Sequence, residues 1–409
     1  VMPSRLVRFS ETPAEAPRTP AFEDTPVDEI VKRWSAIDPA TCGRASQRSA
    51  GDLPLDGVRV LDLTWVLAGP FATRMLADLG ADVIRVQNEE HSTLVNRPDY
   101  PYYFIWGRGK RSATINMKHS QSLAVMRKLI ENCDVLIENY SAGVLDRWGL
   151  DWETVSEWNP RLVYVTMSGC GHDGPWSHVI SYAPTVHAIC GITHLTNFAD
   201  RGDVGPGFSL NDHLAGFAAA SSTVAALLAR DVVGKGQHID MAQLEIGTYC
   251  IGPAALDWLS NENMAQPHGN QDGLQDHIPN EVYPCADGFV AVTATDDEQW
   301  SRLAALLANP ELMALSTETE RRAERDKINQ VFREWGADQD TNSVVELLQS
   351  IGVPVAKVQN ADDLINEDPQ LAARGFWRDA THDVFGDRTI DTFPALWNGR
   401  RLPTRLLSP

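Results

Sequence analysis

The sequence predicts an α/β protein, with a doubly wound parallel sheet in a large domain and a second, smaller α+β domain. Strands and helices alternate from Leu55 onward, the first strands are strongly apolar, and a separate strand pair appears after residue 280. The chain has 409 residues, which is more than one hydrophobic core usually organises, so two domains are expected.

The first strand–helix–strand unit covers residues 58–86. VRVLDL (58–63) is a dense aliphatic run, which is typical of a strand buried on both faces. A helix follows, with Pro70 in its first turn and Gly80 at its end. DVIRV (82–86) is the next strand, and two strands joined through a helix imply parallel pairing with a right-handed crossover.

The same alternation continues along the chain. It predicts helices over 120–132 and near 154–158, with strands over 134–139 and 162–167. A long alanine-rich helix is predicted from Asp212 to Arg230, followed by a strand in HIDMA. A strand pair, EVYPC and FVAVTAT, then flanks a turn, and helical segments lead to a last strand in VPVAKV.

These elements divide the chain into five consecutive parts. The first is rich in Pro, Ser, Thr and charged residues, and it is predicted to wrap the surface with one short helix in VDEIVKRWSAI. The parts are an N-terminal extension (1–52), the large Rossmann-like domain (53–250), a linker or loop (251–282), the small domain (283–358) and a return segment to the large domain (359–409).

The composition argues against several classes of function. A formal net charge of −20 repels phosphate backbones, so a nucleic-acid partner is not expected. Six cysteines lie far apart without a CxxC pair, and no HExxH spacing occurs, so no metal site is predicted. The sequence contains no secretion-signal pattern and no unbroken apolar run of membrane-spanning length, which predicts a cytoplasmic protein without a membrane partner.

Polar residues gather at the predicted carboxyl ends of strands, where ligands bind in open α/β sheets. The first strand–helix turn, LTWVLAGP, lacks the GxGxxG glycines, and the sequence has neither a P-loop nor a GxSxG elbow. Taken alone, Asn139 and Arg147 are explained by a strand-end cap and a surface ion pair. Asp212 directly precedes the predicted long helix, and its local position is that of an N-cap.

The order of these segments resembles the CaiB/BaiF family of class III CoA-transferases, which is related to formyl-CoA transferase and the α-methylacyl-CoA racemases. The resemblance covers about three quarters of the chain and rests on PLDGVRVLDLTWVLAGPFATRMLADLGADVIRV, KRSATINMK, DVLIENYSAGVLDRWGL, NPRLVYVTMSG and GKGQHIDMAQLE. It implies an enzyme that transfers coenzyme A from an acyl-CoA donor to a carboxylic acid acceptor. Coenzyme A and its esters are then substrates, and no metal is required.

The resemblance implies that Asp212, in SLNDHLAG, is the catalytic nucleophile, which forms an aspartyl anhydride and then an aspartyl-CoA thioester. A helix N-terminus stabilises a carboxylate, so Asp212 is expected to be ionised at neutral pH. The coenzyme contacts implied by the family pattern are Leu67, Ala68, Asn116, Met117, Lys118, Asn139, Tyr140, Ser141 and Arg147. Leu67 departs from the Gln of formyl-CoA transferase, and Asn88 departs from its Arg.

Two alternative functions stay open at this point. The first is an α-methylacyl-CoA racemase or epimerase, which is disfavoured because Ala183 stands where the racemases carry a proton-transferring Asp. The second is a non-catalytic subunit that supports an active homologue. The resemblance also implies a dimer of interlocked rings, formed as a homodimer or as a heteromer with a related subunit.

Overall fold

The computed structural model describes residues 7–13, 28, 31–32, 35, 53–88, 101–269, 277–382 and 386–403. The described residues within 1–193, 205–263 and 375–409 form one compact unit, and those within 194–204 and 264–374 form another. The domain boundaries drawn from the sequence stay predictions. The short helix predicted in VDEIVKRWSAI lies largely outside the described residues.

A seven-stranded sheet forms the centre of the first unit. Its strands are β1 Arg8–Phe9, β2 Arg59–Asp62, β3 Asp82–Gln87, β4 Lys110–Thr114, β5 Val135–Glu138, β6 Val163–Ser168 and β7 Gln237–Ala242. The spatial order is β1-β7-β6-β5-β2-β3-β4, and every pair is parallel except β1 with β7. The predicted α/β class with a mostly parallel central sheet is confirmed. Strand β4 was not predicted.

Helices cover both faces of this sheet because its strands are apolar on both sides. Along β5, Val135 and Ile137 join one core cluster, whereas Leu136 between them joins another. The helices of the unit are α1 Ala68–Asp78, α2 Pro101–Gly107, α3 Ser122–Glu131, α4 Val144–Arg147, α5 Trp152–Trp158, α6 Ala183–Ile189, α7 Ile192–Leu195 (which reaches into the second unit), α8 Leu210–Val233, α9 Gln243–Cys250 and α10 Gly252–Asn261.

One predicted helix boundary needs correction, and one helix was not predicted. Helix α8 begins at Leu210, two residues before the predicted start, so Asp212 is its third residue and not its N-cap. Helix α10 occupies Gly252–Asn261, within the segment predicted as a linker or loop. By length and composition alone, α8 could cross a membrane, in contrast to the sequence-based expectation. Its small residues, however, pack against α1 in the core of the unit.

The second unit has its own sheet and its own core. Strands β8 Asn280–Pro284, β9 Phe289–Thr293 and β10 Val355–Lys357 pair antiparallel in the order β10-β9-β8. Around them lie α11 Asp297–Leu306, α12 Pro310–Met313, α13 Glu318–Ala323, α14 Arg325–Gly336, α15 Thr341–Ser350, a π-helical turn Asp363–Glu367 and α16 Pro369–Ala373. The predicted strand pair and the strand in VPVAKV are therefore present.

The chain then returns to the first unit through two short hairpins. These are β11 Trp377–His382 with β12 Gly386–Asp391, and β13 Leu396–Trp397 with β14 Arg400–Arg401. Asp391 of β12 forms ion pairs with Arg74 of α1 and with Arg108. Both arginines are buried, so these ion pairs attach the return segment to the large sheet domain.

Candidate active site

A cavity of about 210 Å³ opens in the first unit at the carboxyl edge of the parallel sheet. The chain runs outward from β2 to β3 and β4, and then from β5 to β6 and β7 on the other side. The strand order therefore reverses between β2 and β5, which is where open α/β sheets bind their ligands. The loops after these two strands, 65–68 and 139–141, line the cavity together with Asp212.

Asp62, the last residue of β2, fixes the loop that follows this strand. Its carboxylate accepts hydrogen bonds from the main chain of Thr64 at 2.9 Å, from the hydroxyl of Thr73 at 2.7 Å and from Lys110 Nζ at 3.0 Å. Burial by itself would raise the pKa of Asp62, but Lys110 and the threonine hydroxyls lower it below its ordinary value. The same burial lowers the pKa of Lys110 to about 8. Asp62 therefore fixes the start of the cavity loop.

Asn139 joins the loop after β5 to the loop after β2, at the point where the strand order reverses. Its Oδ1 accepts a hydrogen bond from Trp65 N at 2.8 Å, and its Nδ2 donates to Trp65 O at 3.0 Å. The rings of Trp65 and Tyr140 stack with centroids 6.0 Å apart. Next to Trp65, Val66 has a φ of 64°, which is a strained conformation for a β-branched residue. Strain held in this way is common where a protein binds a ligand.

Asp212 projects from the first turn of α8 and lines the cavity while being partly buried. Burial raises its pKa to about 6, although hydrogen bonds offered by Gln243 and Ser209 and the charge of His213 act in the opposite direction. The position at a helix N-terminus predicts a stabilised anion with a low pKa, but here burial outweighs that effect. The carboxylate is still mostly ionised at pH 7, as a nucleophile must be.

The structure brings some of the predicted coenzyme residues together, and leaves others outside the cavity lining. Leu67, Ala68, Asn139, Tyr140 and Ser141 line the cavity with Asp212. Leu67 and Ala68 also begin helix α1, and main-chain amides at a helix start attract anions. Both polar atoms of Asn139 are used by Trp65, which leaves its side chain with a structural task in addition to any contact with a ligand.

The remaining predicted coenzyme residues come after two strands of the same sheet, β4 and β5. Asn116, Met117 and Lys118 come after β4, and Asn116 Oδ1 accepts a hydrogen bond from Lys118 N at 2.9 Å. Arg147 ends α4 and is exposed, and within the described part of the chain its guanidinium forms no ion pair. Their role in binding the coenzyme stays a prediction.

A cluster of charged residues lies behind the loop at 139–141. His172 Nδ1 is 3.2 Å from Asp240 Oδ1, and its Nε2 is 3.4 Å from Glu138 Oε1. Glu138 is buried and accepts a hydrogen bond from Tyr140 N at 2.7 Å. Burial alone would lower the pKa of His172, but the two carboxylates raise it to about 10. The His172 imidazolium therefore fixes Glu138, which in turn binds the main chain of the cavity loop at Tyr140.

Sequence reasoning did not single out Gln243 and Ser209, which face Asp212. Gln243 directly follows β7, so its position at the carboxyl edge was a usable signal. Ser209 is the N-cap of α8, but it could be recognised only once the helix start was known. Among the described residues, no group of three or more His, Cys, Asp or Glu side chains is arranged to hold a metal ion.

Comparisons with known proteins identify the family of this chain. The model of the CoA-transferase family III matches residues 55–409. Human succinyl-CoA:glutarate CoA-transferase is 31% identical over 347 residues, covering 82% of this chain and 78% of the human one. The beta subunit of succinyl-CoA–L-malate CoA-transferase from Chloroflexus aurantiacus is 30% identical, covering 77% of this chain and 80% of that subunit.

The fold comparison leads to the same family. A crystal structure of a CaiB/BaiF family protein from Brucella suis superposes with a TM-score of 0.80 at 29% identity, covering 88% of this chain and 96% of that one. The matched family residues include both loops of the cavity and Asp212. The chain belongs to CoA-transferase family III and is a class III CoA-transferase.

Proposed function

We propose that this enzyme transfers coenzyme A from an acyl-CoA donor to a carboxylic acid acceptor through covalent intermediates on Asp212. The observation that carries the proposal is the position of Asp212, a partly buried carboxylate on the wall of the switch-point cavity. Its pKa of about 6 leaves it ionised at neutral pH yet poorly solvated. A carboxylate in that state is a stronger nucleophile than one fully hydrated in solution.

The donor half-reaction has two steps. Asp212 attacks the thioester carbon of the donor, the carbon–sulfur bond breaks, and a mixed anhydride and free CoA thiolate are formed. The thiolate then attacks the aspartyl carbonyl carbon and expels the donor acid as its carboxylate. The result is an aspartyl-CoA thioester. Each step develops an oxyanion, and donors such as the Gln243 side chain beside Asp212 are suited to stabilise it.

The acceptor half-reaction runs these steps in reverse. The acceptor carboxylate attacks the aspartyl thioester and releases the thiolate, which gives a second mixed anhydride. The thiolate attacks the acceptor's acyl carbon, so the new acyl-CoA leaves and Asp212 returns as a free carboxylate. No proton needs to be transferred in any step, which is consistent with Ala183 at the position where racemases need an acid or a base.

We propose that the coenzyme lies along the carboxyl edge of the sheet. The helix start at Leu67 and Ala68 and the loop Asn139–Ser141 line the cavity that holds Asp212, which suits them to the pantetheine end. Lys118 and Arg147 carry the positive charge that the phosphates require. Asn116 and Met117 precede Lys118 on the same loop and complete the predicted contact set.

The donor acid proposed is succinate, carried as succinyl-CoA. The human relative is named for succinyl-CoA and glutarate, and the Chloroflexus relative for succinyl-CoA and L-malate. Mass spectrometry of the CoA esters, after incubation of the enzyme with succinyl-CoA and a panel of mono- and dicarboxylic acids, tests donor and acceptor together. New acyl-CoA species in the presence of an acid identify the acceptor.

We propose further that the enzyme works in the cytoplasm as an interlocked dimer of two copies of this chain or of this chain and a related subunit. The Chloroflexus relative is itself named as a subunit. Light scattering on the purified chain distinguishes the two assemblies when it is combined with an activity assay. An active dimer of this chain alone rules out the need for a second kind of subunit.

The covalent mechanism is tested by trapping. The enzyme is incubated with an acyl-CoA, treated with hydroxylamine or borohydride, and digested for mass spectrometry. The peptide that contains Asp212 is expected to carry the modification, and the Asp212→Asn variant should show neither modification nor transfer. A modified residue elsewhere in the chain, or full activity in Asp212→Asn, refutes the assignment.

A further inference from the structure

The start of helix α8 lacks the cap that a helix of its length normally has. The first amides of a helix have no acceptor within the helix, and a Ser at the N-cap usually accepts one of them. Ser209 occupies the N-cap of α8, but its side chain accepts no such hydrogen bond. Its hydroxyl faces Asp212 instead, where it lowers the pKa of the carboxylate. Another acceptor must therefore satisfy the helix start.

That acceptor is His187 of helix α6. Its Nε2 lies 3.0 Å from the main-chain nitrogen of Asn211, the second residue of α8 and the direct neighbour of Asp212. The imidazole is only 4% exposed, and burial lowers the pKa of His187. Because the main-chain N–H of Asn211 donates to Nε2, this nitrogen carries no proton, and the neutral imidazole has its proton on Nδ1.

The side chain of Asn211 is fixed at the same point. It is fully buried, and its Nδ2 donates to the main-chain oxygen of Gln243 at 3.0 Å. Gly247 of α9 leaves no spare room there, since a Cβ on it would lie 2.9 Å from Asn211 Oδ1. Asn211 is thus held by His187 through its main chain and by α9 through its side chain, while Gln243 also faces Asp212.

We propose that His187 is a positioning residue for the nucleophile: as a neutral imidazole it replaces the N-cap of α8 and fixes the orientation of Asp212 toward the cavity. The same helix, α6, contributes Ala183 and Pro184 to the cavity wall. Helix α6 therefore contributes to the cavity wall and also contacts the start of the helix that carries the nucleophile. The inference rests on the proposed role of Asp212.

Two variants that differ by one methylene test this role. In His187→Gln, the amide oxygen reaches approximately the place of Nε2 and can accept from Asn211. In His187→Asn, the side chain is one methylene shorter, and its amide oxygen cannot reach the main-chain nitrogen of Asn211. We expect His187→Asn to lower kcat about tenfold or more, with the KM for the acyl-CoA within about twofold of the wild type. His187→Gln is expected to stay within about threefold of the wild-type kcat.

Thr223→Val is the matched control. Thr223 is buried in α8, the helix that carries Asp212, and lies about three turns further along it. Its hydroxyl donates a hydrogen bond to Ala219 O at 2.7 Å. This variant should lower the Tm without lowering kcat, which separates loss of helix stability from loss of positioning. Equal kcat values in the two His187 variants, or an equal fall of kcat in Thr223→Val, overturn the inference.

The trapping reaction separates this inference from the proposed function. If the wild type gives no adduct on Asp212, the proposed function fails. If the wild type gives the adduct and His187→Asn forms it at the wild-type rate, only the role of His187 fails. If the adduct on Asp212 forms more slowly in His187→Asn than in His187→Gln, both the proposed function and the role of His187 are supported. All measurements use the full chain.

Discussion

Asp212 should lower the stability of the folded protein at neutral pH, and replacing it with Asn should therefore raise that stability. Its pKa moves from the ordinary 3.8 to about 6 in the fold because burial penalises the charged form. A carboxylate whose pKa is raised by folding favours the folded state only while it is protonated. The charge begins to cost folding free energy as the pH rises above 3.8, where the unfolded chain loses the proton, and the cost reaches its full size once the pH has passed about 6.

The size of the effect follows from the two pKa values. At about 1.4 kcal/mol for each pH unit between 3.8 and about 6, the ionised carboxylate costs up to about 3 kcal/mol at pH 8. At pH 5 about half of that cost remains. Because the side chain is only partly buried, solvent screening makes these values upper limits. In a unit of this size the gain at pH 8 corresponds to a Tm increase of at most about 5 °C.

Denaturant unfolding of the wild type and of Asp212→Asn at pH 8 and pH 5 measures this difference. The variant should be more stable at both values, with the larger gain at pH 8. Asp151→Asn serves as the control, because Asp151 caps α5 by accepting from Thr154 N at 2.9 Å and its pKa is lowered. It should be destabilised at pH 8. If Asp212→Asn destabilises the protein, or gains equally at both pH values, the reasoning is wrong.

Two further predictions concern the groups that support the cavity loops. Lys110→Met leaves the buried carboxylate of Asp62 without its ammonium partner and should cost about 3–5 kcal/mol in denaturant unfolding, most of which the double variant with Asp62→Asn should recover. His172 has a pKa raised to about 10 between Glu138 and Asp240, so its contribution is complete below pH 6.5 and is lost toward pH 10. The stability loss in His172→Gln should therefore be larger at pH 6 than at pH 9, and a loss independent of pH would contradict this assignment.

The sequence alone was sufficient for the fold class and for placing Asp212, the proposed nucleophile, at the start of a long helix. Apolar runs such as VRVLDL predict a strand that is buried on both faces. The position of Asp212 at the start of a long alanine-rich stretch predicts a carboxylate at a helix N-terminus. These signals are local, because residue type and periodicity within one segment decide them. The edge strand β4 was missed because KRSAT has no apolar run, and only its pairing with β3 makes it a strand.

The properties that matter for chemistry depended on the tertiary structure. The N-terminal position of Asp212 predicted a stabilised anion, but the packing around α8 buries the carboxylate and raises its pKa to about 6. Taken alone, Asn139 is explained as a strand-end cap, and the family resemblance makes it a coenzyme contact. Its actual partner, Trp65, lies 74 residues away in sequence and uses both of its polar atoms because β2 and β5 are adjacent. His187 reaches the helix start from 24 residues upstream. Burial and long-range partners are set by how the elements pack, so no local pattern in the sequence encodes them.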